Sequence, residues 1–357
     1  MGKLDGICVV DLSQFLPGPM LTVMMADHGA HVTKVEPPAG DPARAMGPFE
    51  AGHGVWFRNL NRGKASVRLD LKTAAGTDAL WALLADADVL VEGFRPGVIG
   101  RLGFGYDAVA ARFPGIVYCS ISAFGQTGPL AHHPAHDLGV EALAGFLSVN
   151  DGADGVPVVP AVAAADMAAG LTGLSAVLMA LLGRARTGRG DYIDIAMFDC
   201  LLPWSAHIAG SVFTDGTPPA SATQRSLGGA AFYNVYACSD GRHIVLCGRE
   251  PKFATVLLTA LGRPDLIAAA AAAAGTPQAA LRAFLAATFV ARPRDAWTAW
   301  FASLDVAFAP VLDFAEALTQ PHIAARRLVA EAAGAHHIAP PIRFAGDVLW
   351  QPAAAPG

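Results

Sequence analysis

Charged side chains are scarce in this 357-residue chain: 25 Lys and Arg with 30 Asp and Glu make up 15% of it and leave a formal net charge of -5. A surface so thinly and slightly negatively charged has no whole-chain attraction for nucleic acid or acidic lipid, although a local basic patch still suits phosphate. Cysteine is sparse as well. The five, Cys8, Cys119, Cys200, Cys238 and Cys247, are scattered and contain no CxxC pair, which argues against zinc and dithiol frameworks and fits reduced, cytoplasmic thiols. The N-terminus MGKLDGICVVDLS lacks the basic leader and long apolar run of an export signal. The most membrane-like stretch, residues 167–183, is short for a span, carries Gly170, Gly173 and Gly183, and follows directly on Asp166; it reads as a helix buried in the protein or at a subunit contact, with no membrane partner expected.

Hydrophobic residues make up 53% of the chain, much of it alanine, and the length favours two unequal domains. The first segments alternate: strand ICVVD, turn-rich SQFLPGP, helix MLTVMMADHG and strand HVTKVE form a βαβ unit. Strand SVRLDL, helix TDALWALLADA, strand DVLVEGF, helix YDAVAARF and strand GIVYCSIS continue the pattern and predict a mostly parallel, helix-covered sheet. Pro17-Gly18-Pro19 stands where a dinucleotide fold carries GxGxxG, so the topology is Rossmann-like without a nicotinamide site. The polar loop QTGPLAHHPAHD follows, then a helix EALAGFLSV, the turn cluster NDGADGVP, and a long apolar helix ending at RARTGRG.

Asp240-Gly241, flanked by YNVYACS and RHIVLCG, is the strongest hairpin signal and opens a smaller α+β domain. Helices are expected over EPKFATVLLTALG, the alanine run IAAAAAAAAG and AWTAWFASLD, with a strand at FAPVLDF. The expected domain plan is 1–200 for the large domain, 201–228 for a linker, 229–325 for the small domain, and 326–357 for a return to the large domain.

The phrases VVDLSQFLPGP, HVTKVEPP, NRGKASVRLDLK, DVLVEGFRPGVIGRLGFG, SAFGQTGP, AHDLGVEALAGFLS, TGRGDYIDIAMFD and GGAAFYNVYACSDGRHIVLCGREPKF occur in this order. Together they resemble the class III CoA-transferase (CaiB/BaiF) superfamily, and within it most closely α-methylacyl-CoA racemase. The resemblance implies an α/β enzyme, an interlocked homodimer, an acyl-CoA thioester as substrate, a place in fatty acid metabolism, and no cofactor other than the coenzyme A carried by the substrate. It makes Asp166 and His136 the reactive pair. His136, in AHD, stands where transferases characteristically carry another residue, so the resemblance favours racemisation of 2-methylacyl-CoA by proton transfer through an enolate. The alternatives are CoA transfer between carboxylic acids with Asp166 as nucleophile, and non-catalytic acyl-CoA binding.

The chemistry suits both side chains. A proton α to a thioester carbonyl is removed by a placed base and returned from the opposite face by a second group; imidazole titrates near neutrality, and burial brings a carboxyl there. Taken alone, Asp166 reads as an N-cap aspartate and His136 as a loop histidine. The first-turn N–H groups of the helix at Asp166 are expected to bind negative charge, from its own carboxylate or from an enolate oxygen. His132, His133 and His136 do not suggest a metal, because Pro134 interrupts their spacing and no acidic or cysteine set accompanies them.

The resemblance further implies that Asp137 and Glu250 assist catalysis and that Ala135, Leu138, Gly139, Val140 and Tyr233 contact substrate. It assigns coenzyme A to Leu69, Asp70, Leu71, Lys72, Gly93, Phe94, Arg95 and Arg101, with Arg62 and Lys64 as weaker candidates. Pro37, Val140 and Val162 depart from the pattern, where relatives carry arginine, tyrosine and asparagine.

Overall fold

A computed structural model of the chain describes residues 2–152, 154–332, 334–345 and 350–357. It resolves into two compact units: 1–144, 160–204 and 320–357 form the first, and 145–159 with 205–319 form the second. Part of the expected C-terminal return, Ala333 and residues 346–349, lies outside the described residues.

The first unit is built on strands β1 (Cys8–Asp11) and β2 (His31–Glu36), a small hairpin β3 (Phe49–Glu50) and β4 (His53–Gly54), then β5 (Ala65–Arg68), β6 (Val89–Glu92), β7 (Val117–Ser122) and β8 (Tyr192–Ala196). Six of these make one sheet in the order β5-β2-β1-β6-β7-β8, and every pairing in it is parallel. Counted along the chain, that is the doubly wound order 3-2-1-4-5-6 of a Rossmann-like sheet. The central strands read as unbroken apolar runs because helices cover both faces; all four residues of β6 are buried. Strand order reverses at β1 and β6, the chain winding outward from β1 in one direction and from β6 in the other, which leaves a crevice beyond their C-terminal ends.

Helix α1 (Pro17–Asp27) starts with proline, whose missing N–H costs nothing in a first turn. Then come α2 (Val55–Asn61), α3 (Ala74–Ala85), α4 (Val98–Arg101), α5 (Tyr106–Arg112), α6 (Asp137–Leu143) and α7 (Ala164–Thr187). The expected helix over EALAGFLSV is cut at Gly145, whose φ of 86° ends it, and resumes as a 3-10 turn over Phe146–Val149.

By length and composition α7 suffices to cross a membrane. In this fold the face bearing Ala165, Ala168, Ala169, Gly173 and Val177 is buried. Glycine at 170 and 173 lets α7 approach α1 closely: a Cβ at Gly170 would sit 2.9 Å from the Pro17 carbonyl, and one at Gly173 would sit 2.8 Å from Leu21 Cδ1. The glycines that weaken the stretch as a span are its packing notch. Gly188, at φ 69°, caps the far end.

In the second unit β9 (Tyr233–Ala237) and β10 (His243–Cys247) form the antiparallel hairpin expected at Asp240-Gly241, with β11 (Phe308–Pro310) paired to β10. Leu257, Leu281, Leu285, Phe289, Trp297 and Phe301 make its core. The alanine run is not the helix its propensity suggests: only Ile267–Ala270 is α-helical. Alanine supplies propensity but no anchoring side chain, and Gln278 Nε2 binds the Ala272 carbonyl at 2.7 Å, where a continuing helix would use it.

Candidate active site

The reversal between β1 and β6 opens into a cleft of about 500 Å³ walled by Ser13, Phe15, Gly93, Arg95, His136 and Asp166, among others. This is where an open α/β sheet characteristically binds ligands.

One wall is the loop Ser13–Pro19. Two buried ammonium groups brace it from below. Lys34 Nζ donates to the Ser13 carbonyl at 2.8 Å and pairs with Asp41 at 2.8 Å. Lys64 Nζ donates to the Pro19 carbonyl at 3.1 Å, to Asn61 Oδ1 at 2.9 Å and to Asp11 at 3.1 Å. Asp11 also accepts from the Ser13 and Thr22 hydroxyls. Burial works to raise the Asp11 carboxyl, but Lys64 and Lys34 together with those hydroxyls hold it at about 2; burial draws the Lys64 ammonium down to about 8. Between the two anchors Phe15 is held at φ 63°, in the left-handed region that a bulky residue enters only when its surroundings impose it. Its ring meets that of His136 edge-on at 6.3 Å.

Asp166 is the third residue of α7, within the first turn rather than at the cap, which is Ala163. The first-turn donors are not open to a ligand, contrary to the sequence expectation. Ala164 N donates to Glu141 Oε1 at 2.9 Å, and Ala165 N and Asp166 N donate to Asp137 Oδ1 at 2.8 and 3.0 Å. Burial, then the charges of Asp137 and Glu141, raise the Asp166 carboxyl to about 7. His136 is exposed and occupies the N-cap position of α6 without a side-chain cap bond.

Of the sequence-derived residues, Gly93, Phe94, Arg95, Ala135, His136 and Asp166 line this cleft. Asp137 lies behind Asp166 as a partner of its backbone. Val140 is fully buried and Leu138 and Gly139 are exposed on α6; none of the three is in the lining. Leu69, Asp70, Leu71 and Lys72 follow the edge strand β5, and Arg101 is exposed on α4; they too lie outside the lining. Arg62 and Lys64 are corrected as coenzyme A candidates: Arg62 is paired with Asp27 at 2.5 Å, and both side chains are buried. Tyr233 and Glu250 belong to the second unit, where Tyr233 is exposed at the start of β9 and Glu250 is exposed before the helix Pro251–Ala260. Sequence reasoning missed Gln14, Phe15 and His133, which line the cleft, and Glu141. The position of SQFLPGP directly after the first strand of a doubly wound sheet was the available signal for the first two.

Among similar proteins, the acetyl-CoA:oxalate CoA-transferase of Acetobacter aceti is 34% identical over 351 residues, 97% of this chain and 90% of that protein. A succinyl-CoA:mesaconate CoA-transferase of Haloarcula hispanica is 33% identical over 349 residues, covering 93% of this chain and 86% of that one. The crystal structure of a CAIB/BAIF family protein from Brucella suis superposes with a TM-score of 0.86 at 33% identity, covering 99% of this chain and 96% of that one. The names of these relatives give no support to racemisation, the reading first favoured by His136, and favour transfer instead. With the family model for CoA-transferase family III matching residues 4–356, and with a doubly wound sheet whose crevice carries Asp166, this chain belongs to CoA-transferase family III.

Proposed function

We propose that the protein moves coenzyme A from an acyl-CoA donor to a second carboxylic acid, with Asp166 as the nucleophile. The observation that carries this reading is the placement of the Asp166 carboxyl in the switch-point cleft, half-buried and titrating near neutrality. A desolvated carboxylate whose proton affinity is raised attacks more readily once ionised than one fully solvated.

The exchange balances without water or an added cofactor. An Asp166 oxygen attacks the donor thioester carbonyl and the C–S bond breaks, giving a mixed anhydride and CoA thiolate. The thiolate attacks the Asp166 carbonyl of that anhydride, releasing the donor acid and leaving an Asp166–CoA thioester. The acceptor carboxylate attacks this thioester to form a second anhydride, and the thiolate then takes the acceptor acyl group, restoring Asp166. Arg95 in the cleft, with Arg101 and Lys72 as exposed cations of the same unit, is proposed to hold the phosphates of coenzyme A. Tyr233 and Glu250 remain proposed substrate-side residues, a homodimer is the proposed assembly, and the five unpaired cysteines suit a cytoplasmic setting.

The test is acyl-CoA exchange followed by mass spectrometry, with acetyl- and succinyl-CoA as donors and oxalate, glutarate and mesaconate as acceptors. Exchange that is lost in Asp166→Ala and retained in His136→Ala, with a covalent CoA adduct trapped on Asp166, supports the proposal. Deuterium entering the α carbon of a 2-methylacyl-CoA in D2O, without any CoA exchange, would overturn it and restore the racemase reading.

A further inference from the structure

A helix begins with N–H groups that have no partner within the helix, and an acid in the first turn ordinarily gains from them. At the head of α7 that gain is diverted. The donors of Ala164, Ala165 and Asp166 are taken by Glu141 and Asp137, and Met167 N bonds the Ala163 carbonyl at 3.0 Å. Among the described residues the Asp166 carboxylate accepts no hydrogen bond, although it stands in the same turn. Asp137 and Glu141 are four residues apart and so share one face of α6, the helix packed on α7. Neither lines the cleft.

We propose that Asp137 and Glu141 are positioning residues of the transfer reaction: by occupying the donors at the head of α7 and setting their negative charges beside it, they fix the backbone of Asp166 and leave its carboxylate oxygens unbonded and reactive toward the cleft. The inference rests on the transferase reading above and adds Glu141, whose role nothing in the sequence motif suggested.

The physical consequence is a nucleophile that is not quietened by its own helix. A carboxylate that accepts two or three backbone hydrogen bonds is stabilised as the anion and attacks poorly; one denied them retains its basicity. Most of the other charged or titratable groups on the elements packed against α7 have separate engagements. Asp27 of α1 pairs with Arg62, Asp194 of β8 accepts from Gln126 N at 2.9 Å, and Tyr192 of β8 donates to Ser120 Oγ at 3.3 Å. Tyr118 of β7 donates to the Phe104 carbonyl at 2.8 Å, and Cys119 of β7, with Cys200 and Asp199 of α8 (Met197–Leu201), completes the set. His133, His136 and Arg95 share the cleft with Asp166. Among the described residues, Asp137 and Glu141 are the charges that raise the Asp166 carboxyl, after burial.

The experiment compares wild type with Asp137→Asn and Glu141→Gln, each of which keeps an oxygen to accept the α7 donors but loses the charge. Two readouts are taken on each protein. One is the pH profile of kcat/KM for CoA exchange; the other is a substrate-free 13C carboxyl NMR titration of aspartate-labelled protein, with the Asp166 signal assigned by its loss in Asp166→Asn. The inference expects the Asp166 midpoint, and with it the acid limb of the profile, to fall by about 0.5–1 pH unit in each variant. A purely structural role would lower activity equally at every pH and leave the midpoint in place; that result in both variants overturns the inference. Absence of CoA exchange in wild type is a different failure: it removes the transferase reading, while the NMR midpoint still decides whether the two acids act on Asp166. If one variant does not fold, the other carries the test.

Discussion

Replacing Asp166 by asparagine is predicted to stabilise the protein, and to do so only where the unfolded chain ionises at this position. Burial, with the charges of Asp137 and Glu141, brings the folded-state carboxyl to about 7 from an ordinary 3.8. Because the folded value is the higher, the contribution of Asp166 to stability is intact below about pH 4, is lost as pH rises toward 7, and stays lost above it. A displacement of about three units corresponds to about 4 kcal/mol at 1.36 kcal/mol per unit, somewhat less for a side chain that is only half-buried. Asparagine keeps the shape and has no charge to bury, so its advantage over aspartate should be under about 1 kcal/mol at pH 4 and about 3–4 kcal/mol at pH 8. Urea unfolding of both proteins across that range, followed by far-UV circular dichroism, measures the difference. An advantage that does not change with pH, or one that shrinks as pH rises, refutes the reasoning. The same variant should have no transferase turnover, which would make Asp166 a residue retained for reactivity at the expense of stability.

Three further outcomes are expected. Wild-type kcat/KM for CoA exchange should rise with pH through an acid limb near 7, as Asp166 ionises in the free enzyme; a profile flat from pH 5 to 8 argues against Asp166 as nucleophile. Lys64→Met removes one member of a fully buried pair and leaves Asp11 short of a counter-charge, so urea unfolding should show a loss of about 3–5 kcal/mol, with a loss below 1 kcal/mol contradicting the role given to the pair. Gly190→Ala places a Cβ 1.8 Å from the Ile116 carbonyl oxygen, where only backbone can yield; it should cost at least about 2–3 kcal/mol and lower the melting temperature measurably by differential scanning calorimetry.

The parallel sheet was legible because buried central strands such as β6 are apolar runs, and because helical segments alternate with them. The hairpin was legible because Asp240-Gly241 meets a turn's demand directly: Gly241 sits at φ 75°. The alanine run misled because propensity is local, whereas the end of the helix Ile267–Ala270 is set by Gln278 from a later element. The site was half legible. Asp166 and His136 were found by their motifs, and the cleft does bring them together. Lys64 was a weaker coenzyme A candidate because a basic residue in a string carries no mark of burial; its partners Asp11 and Asn61 are apparent only once β1 and α2 are placed. Glu141 was passed over for the same reason, since the donors it satisfies belong to a helix 23 residues further along the chain. The choice between racemisation and transfer turned on a single histidine, and an imidazole beside a reactive carboxyl is compatible with either chemistry.

The buried lysines under the Ser13–Pro19 loop carry a consequence for an enzyme that works with activated acyl groups. Thioesters and anhydrides acylate free amines, and the amine most at risk is one that readily gives up its proton. Lys64, drawn down to about 8, would be such a target if it reached solvent. With both Lys34 and Lys64 fully enclosed and donating through their ammonium N–H groups to Ser13, Pro19 and carboxylates, neither nitrogen offers a free lone pair to a passing acyl donor. The fold places the Lys64 amine beneath the wall of the cleft and shields it there from acylation.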